Sequence, residues 1–187
     1  MTTQAIEIPG FVAGTWIIDP AHSDVSFLAR HMMVSKVRGY FSKFEGELVI
    51  AEDPLQSTAT ATIDLNSIST NNEMRDNHIR SADFFEVETY PEMTYQSTGI
   101  IQDGDDILLH GELTLKGVTR TVPLKLEING FGPDIQGNTR AGFSAIGEIN
   151  RMDFGVSYNG PIPGGGVAIS EKVQIVLEVE AILQADS

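Results

Sequence analysis

Histidines are the first candidates for chemistry in this chain, and there are four: His22, His31, His78 and His110. A metal site needs about three or four converging ligands, often from spacings such as HxH or HExxH. Neither spacing occurs. His22 and His31 stand at opposite ends of one strand-like run, and their odd separation sends them to opposite faces. The simplest assignments make His31 a satisfied core histidine, His78 a hydrogen-bonding group near a helix end and His110 a wet-face residue. Nucleophilic chemistry is no better supplied. There is no GxSxG motif, and the absence of cysteine removes both thiol chemistry and a disulfide framework. Gly164-Gly165-Gly166 lacks the Lys-Ser/Thr of a phosphate-binding loop and precedes a strand, which predicts a flexible loop end. Carboxylates fall mostly on wet faces and turns. The inventory favours binding over catalysis, without metal or cofactor.

The elements that position these groups are mostly strands. Gly14 to Ile18 reads as a first strand, and Asp19-Pro20 turns out of it. From His22 to Arg30, apolar Val25, Phe27 and Ala29 alternate with Ser26, Leu28 and Arg30, the period of a strand with one dry face. His31 is the next residue on that dry side. Met32, Met33 and Val34 break the alternation as a short helical or turn-like piece. A second strand follows, with Tyr40, Phe44, Leu48 and Ile50 on one face and Phe41, Lys43, Glu45 and Glu47 on the other.

Similar runs recur along the chain. Ala59, Ala61, Ile63 and Leu65 share one face, as do Met93, Tyr95, Ser97 and Gly99. Pro123 inside the run Val118 to Ile128 predicts an edge or a bulge. The Gly-rich segment Asn129 to Asn138 predicts a loop. Thr70-Asn71-Asn72-Glu73 has capping-box spacing and predicts one helix over Thr70 to Arg80, with Asp76 and Arg80 at i, i+4. About eight strands with turn signals and one helix describe an all-β antiparallel barrel or sandwich. One domain is expected over 14–187, behind a flexible leader at 1–13.

The 187 residues are 41% hydrophobic, enough for a core, and carry a net charge of −14. That charge disfavours nucleic acid and anionic membrane surfaces. No run of about 18 apolar residues spans a bilayer, so no stable membrane insertion is expected. The first residues show no signal peptide, which points to the cytoplasm. Charge is unevenly spread: Ala29 to Phe44 holds Arg30, Lys36, Arg38 and Lys43 and no acid. This segment reads either as a solvated turn or as a positive mouth for an anionic head group. Inward faces rich in Ala, Gly and Ser fill a barrel poorly, and methionine adapts to a flexible chain. A barrel of this kind would enclose a cavity for a long apolar ligand.

Three blocks carry a family resemblance: GTWIIDPAHSDVSFLARHMMVSKVRGYFSKFEGEL, RDNHIRSADFFEVETYPEMTY and LHGELTLKGVTRTVPLKLE. Together they resemble the YceI-like family of polyisoprenoid-binding, lipocalin-like proteins, over about residues 14 to 183. The resemblance implies an extended eight-stranded antiparallel barrel around a long pocket for an isoprenoid or similar amphiphilic lipid. It also implies a homodimer. Arg75, Asp76 and His78 match the family's Arg-Asp-x-His element, and Asp83, Phe84 and Phe85 its Asp-Phe-Phe. Both should lie around the pocket mouth. Leu113, Thr114, Gly117, Val118 and Thr119 match a hairpin. Many members are secreted to the periplasm, whereas this chain shows no leader.

The reading that results is non-catalytic binding, storage or transport of an isoprenoid or fatty lipid. Its tail would contact Phe27, Ala29, Met33, Phe44, Phe84 and Phe85, with Met93, Tyr95 and Phe143 further along. A polar head would sit near Arg30, Lys36 and Arg38. The rival readings are a filled-core interaction module and a lipid-modifying enzyme using His31 or His78 as base.

Overall fold

The computed structural model describes residues 7–160 and 168–185. Gly164-Gly165-Gly166 and the first part of the expected leader lie outside the described residues. The first strands are β1 (Gly14–Ile18), β2 (Asp24–His31), β3 (Ser35–Phe41), β4 (Phe44–Ile50), β5 (Thr58–Asp64) and β6 (Ile68–Ser69). Helix α1 (Glu73–Arg80) follows. Then come β7 (Glu92–Asp103), β8 (Asp106–Leu115), β9 (Val118–Thr121), β10 (Leu124–Pro133), β11 (Thr139–Asn150) and β12 (Lys172–Leu183).

The sheet runs β1-β4-β5-β7-β8-β10-β11-β12, and β12 pairs back onto β1 to close an eight-strand antiparallel barrel. Closure removes the unpaired edges that would otherwise invite aggregation. β12 changes partner along its length. Its last residues pair with β1, as in Trp16↔Leu183, while Gln174 to Glu178 pair with β2. A one-turn 3-10 helix at Pro20–His22 makes this handover, capped by Asp19, whose carboxylate accepts the Ala21 N–H at 3.0 Å. The β2–β3 hairpin thereby extends the wall beyond the barrel rim.

Four local expectations change. The second strand is two strands: the break at Ser42-Lys43 shifts the phase, so Phe41 points inward and is buried while Tyr40 faces out under Arg38. The helix is shorter, because Asn72 caps it by accepting the Arg75 N–H at 2.9 Å. Thr70 instead bonds Asp76 through its backbone N–H (2.8 Å) and its hydroxyl (2.6 Å), so Asp76 is buried and makes no pair with Arg80. The segment from Asn129 is not a loop. β10 continues through Pro133 across a bulge between Ile128 and Gly130, and the turn follows at Asp134 to Asn138. Pro123 falls between β9 and β10, where no ladder N–H is needed.

Buried residues form two clusters. The larger fills the barrel from Phe41, Leu65 and Phe84 to Leu124 and Phe154. The smaller sits at the other end, where Trp16, Ile50, Ala141 and Ala181 pack with Phe131 and Phe143. Phe11, within the segment expected to be a loose leader, caps that end edge-on to Phe131 at 5.7 Å.

Candidate functional site

The barrel holds a cavity of about 440 Å³. Its walls are the dry faces of the strands: Val25, Phe27 and Ala29 from β2, Val37 and Phe41 from β3, Ile175 and Leu177 from β12. What keeps this space open is a repeated device in which a bulky side chain lies flat over a glycine of the next strand. A Cβ at Gly39 would stand 2.2 Å from the Phe27 ring, and one at Gly111 would stand 2.3 Å from the Tyr95 ring. Ile18 lies over Gly46 (2.5 Å) and Leu124 over Gly147 (2.6 Å) in the same way. Real Cβ atoms do not come so close, so these glycines are spaces that the large side chains occupy. The side chains line the wall instead of crossing the lumen.

Tyr95 is anchored in that position, its hydroxyl donating to the Val122 carbonyl at 2.9 Å. Burial pushes its pKa up to about 12. A second cavity of about 160 Å³ lies behind it, toward Phe11, Phe131 and Phe143. Ile18, Ala61, Tyr95, Leu124, Leu177 and Val179 line both cavities and form a waist between them.

Polar groups gather at the end of the large cavity farthest from the waist. Arg30, His31, Thr70, Arg75, His78, Arg151 and Tyr158 all line it there. Arg75 bonds Thr70 twice, Nε to the hydroxyl and Nη2 to the carbonyl, each at 2.7 Å. His78 Nε2 meets Asp83 Oδ2 at 2.8 Å, and its ring packs edge-on against Phe84 and Tyr158 at 5.1 and 4.9 Å. Arg151 is buried, yet it pairs with no carboxylate among the described residues. Its guanidinium donates to the carbonyls of Val156, Tyr158, Ile169 and Ser170. Burial pulls its pKa below the usual arginine value, with Glu171 opposing that shift. The arrangement is an oily chamber with a cationic, hydrogen-bonding rim.

The model of the YceI-like domain matches residues 16–181 of this sequence. The chain belongs to the YceI-like family. It is 37% identical over 177 residues to Protein YceI of Escherichia coli O157:H7, covering 92% of this chain and 89% of that one. Among solved structures, BcnA of Burkholderia cenocepacia superposes with a TM-score of 0.76 at 26% identity, over 87% of this chain and 98% of that one. A polyisoprenoid binding domain from Saccharophagus degradans shares the fold at a TM-score of 0.66 and 18% identity, covering 90% and 98%.

Within this YceI-like barrel, most of the residues expected at the ligand do line the large cavity. They are Phe27, Ala29, Arg30 and Phe44 on the first strands, then Phe84, Phe85, Met93 and Tyr95. Phe143 belongs to the second cavity instead. Met33 does not line either one. It sits at the apex of the β2–β3 hairpin, 52% exposed, because the unpatterned Met32-Met33-Val34 is a turn. Lys36 and Arg38 also face outward, since Val37 and Gly39 occupy the inward positions between and beyond them. Arg75 and His78 do line the mouth, as the family motif implied. Arg151 was missed, because nothing in the sequence separates a buried arginine from a surface one. His31 is no core histidine: it is an exposed rim residue.

One titratable cluster lies on the outer wall. Asp19, His22 and Glu180 place three ligand-capable atoms within 4.8 Å of one another. The Arg140 guanidinium already occupies this cluster. Its Nη1 donates to Asp19 (2.8 Å) and Glu180 (2.9 Å), and its Nε to Asp134 (2.6 Å). Arg140, then His22, holds the Asp19 carboxyl down at about 2. Arg140 likewise keeps Asp134 well below the usual carboxylate range.

Proposed function

We propose that this protein binds a long-chain amphiphilic lipid of the isoprenoid class, without chemistry, for storage or transport. The tail runs inward from the mouth past Phe27, Phe44 and Met93 to the waist at Tyr95. The polar head stays at the rim beside Arg30 and Arg75. One observation carries this reading: a largely apolar cavity of about 440 Å³ in a barrel small enough to have been filled. Pockets of about 300–1,000 Å³ are the usual size for small ligands. Each methylene buried there contributes roughly 0.8 kcal/mol, so a tail supplies affinity without a reacting group. The isoprenoid class is supported by the structural neighbour from Saccharophagus degradans, which is a polyisoprenoid binding domain. The cytoplasmic setting and a homodimer belong to the same proposal; cell fractionation and light scattering test them.

Extraction of the purified protein with organic solvent, followed by mass spectrometry, tests the reading. A prenyl or fatty lipid in the extract, or stoichiometric uptake of one added afterwards, is the expected result. If no lipid co-purifies and none binds, the reading fails.

A further inference from the structure

Three local rules are broken together at the tip of the β2–β3 hairpin, next to the cavity mouth. The first concerns the turn His31-Met32-Met33-Val34, closed by Val34 N–H donating to the His31 carbonyl at 3.1 Å. Both central residues have positive φ, 53° at Met32 and 60° at Met33. Hairpins that need two such residues use Asn-Gly, Asp-Gly or Gly-Gly, because a side chain there crowds the backbone. Here two methionines accept that strain. The second is exposure: Met33 is 52% and Val34 85% exposed, so the apex is apolar and bare. The third is charge. Arg30 stands directly across from Lys36, and Leu28 across from Arg38. Ala29 and Val37 between them point into the cavity, which puts Lys36 and Arg38 on the outer face and leaves Arg30 at the rim. Like charges directly opposite each other disfavour a strand pair. None of the three cations bonds a carboxylate among the described residues.

We propose that this tip docks on an anionic bilayer surface and so brings the cavity mouth to the membrane. Met33 and Val34 enter the headgroup boundary while Lys36 and Arg38 meet lipid phosphates behind them. Strand geometry sets the spacing: Lys36, two residues past Val34, lies about 7 Å back from the apex. Interfacial apolar groups sink about 5–10 Å into that boundary, so Lys36 arrives at phosphate level with Arg38 just above it. The net charge of −14 does not forbid this. At cellular ionic strength the field of a charge fades over about 8 Å, so a distant acid is screened while the tip cations are not. The tip is also built into the mouth: Met32 N–H donates to the Ala168 carbonyl at 2.8 Å, and His31 bridges Ile169. A docked tip would place Arg30 and His31, both rim residues, at the lipid surface. The inference rests on the lipid-binding reading for its purpose, and on the hairpin alone for its physics.

Sedimentation of the full chain with vesicles tests it, comparing pure phosphatidylcholine with mixtures containing phosphatidylglycerol. Binding is expected only to the anionic vesicles. The pair Lys36→Glu with Arg38→Glu should weaken it more than about tenfold, as should Met33→Asp with Val34→Asp. Lys125→Glu, on an exposed lysine of β10 four strands away from β3, should not. Uptake of a fluorescent prenyl chain from detergent should stay unchanged in the tip variants, since these residues line no cavity. Their melting temperatures should not fall, since the substitutions relieve the like-charge pair and the strained turn. Equal binding to both vesicle types would overturn the proposal, as would no binding at all or indifference to the tip variants. Self-association lost in Met33→Asp with Val34→Asp would overturn it too, by assigning the tip to a second copy. If lipid uptake is intact but docking fails, only this inference falls; if docking holds without lipid uptake, the binding reading falls instead.

Discussion

Gly111 illustrates how much of the cavity depends on atoms that are missing. A methyl group there would meet the Tyr95 ring at 2.3 Å, so Gly111→Ala must push Tyr95 toward the lumen or break its bond to Val122. Overpacking of this kind costs about 1–3 kcal/mol. A lowered melting temperature together with reduced lipid capacity is expected. Gly39→Ala should act the same way through Phe27, and adding Phe27→Ala should relieve it; a double-mutant cycle in thermal unfolding reads the coupling. Strand faces told from sequence that Phe27 and Tyr95 point inward. They could not tell that each lies on a glycine, because that pairing joins residues 12 and 16 positions apart through strand register.

Acid titration gives a second check at this scale. Asp19 titrates at about 2 in the folded protein, below its unfolded value of about 3.9. A depressed carboxyl contributes stability above the unfolded pKa, and that contribution disappears as pH falls from about 4 toward 2. Arg140→Gln should remove it, flattening the fall in melting temperature across that window. A variant whose acid profile matches the wild type would show that the Arg140 cluster has no such role.

At the level of elements, period-two alternation located the dry face of β2 correctly from Val25 to Ala29, and failed at His31, which is exposed at the rim. It also failed where phase was lost. Ser42-Lys43 leaves no mark in a hydrophobic pattern, yet it reverses the roles of Tyr40 and Phe41. Likewise, glycines at 130 and 132 suggested a loop where a bulged strand continues. Arg151 shows what pattern cannot supply. It ties the residues just after β11 to those just before β12 by bonding the Val156, Tyr158, Ile169 and Ser170 carbonyls. Arg151→Met would leave these acceptors unpaired, the Val156 carbonyl in a buried place where an unsatisfied group costs about 1–3 kcal/mol. The melting temperature should fall steeply. Arg151→Lys should not restore it, because an ammonium cannot span the guanidinium fork.

For the whole molecule, the decisive number is the size of the void. Cavities left by core truncation destabilise by about 24 cal/mol per Å³. A closed and empty void of 440 Å³ would cost on the order of 10 kcal/mol, an upper bound here because this one opens at its mouth. Four glycines beneath bulky side chains preserve such a space. The sequence hinted at this through its Ala-, Gly- and Ser-rich faces, but the volume is a sum over many strands and exists only once the barrel closes.

Native mass spectrometry of the delipidated protein mixed with a single long prenyl lipid tests this most directly, run beside an Ala61→Trp variant that plugs the waist. One lipid per chain on the wild type, with weaker retention in the plugged variant, is the expected result. A wild type that stays at its bare mass at saturating lipid would contradict the account.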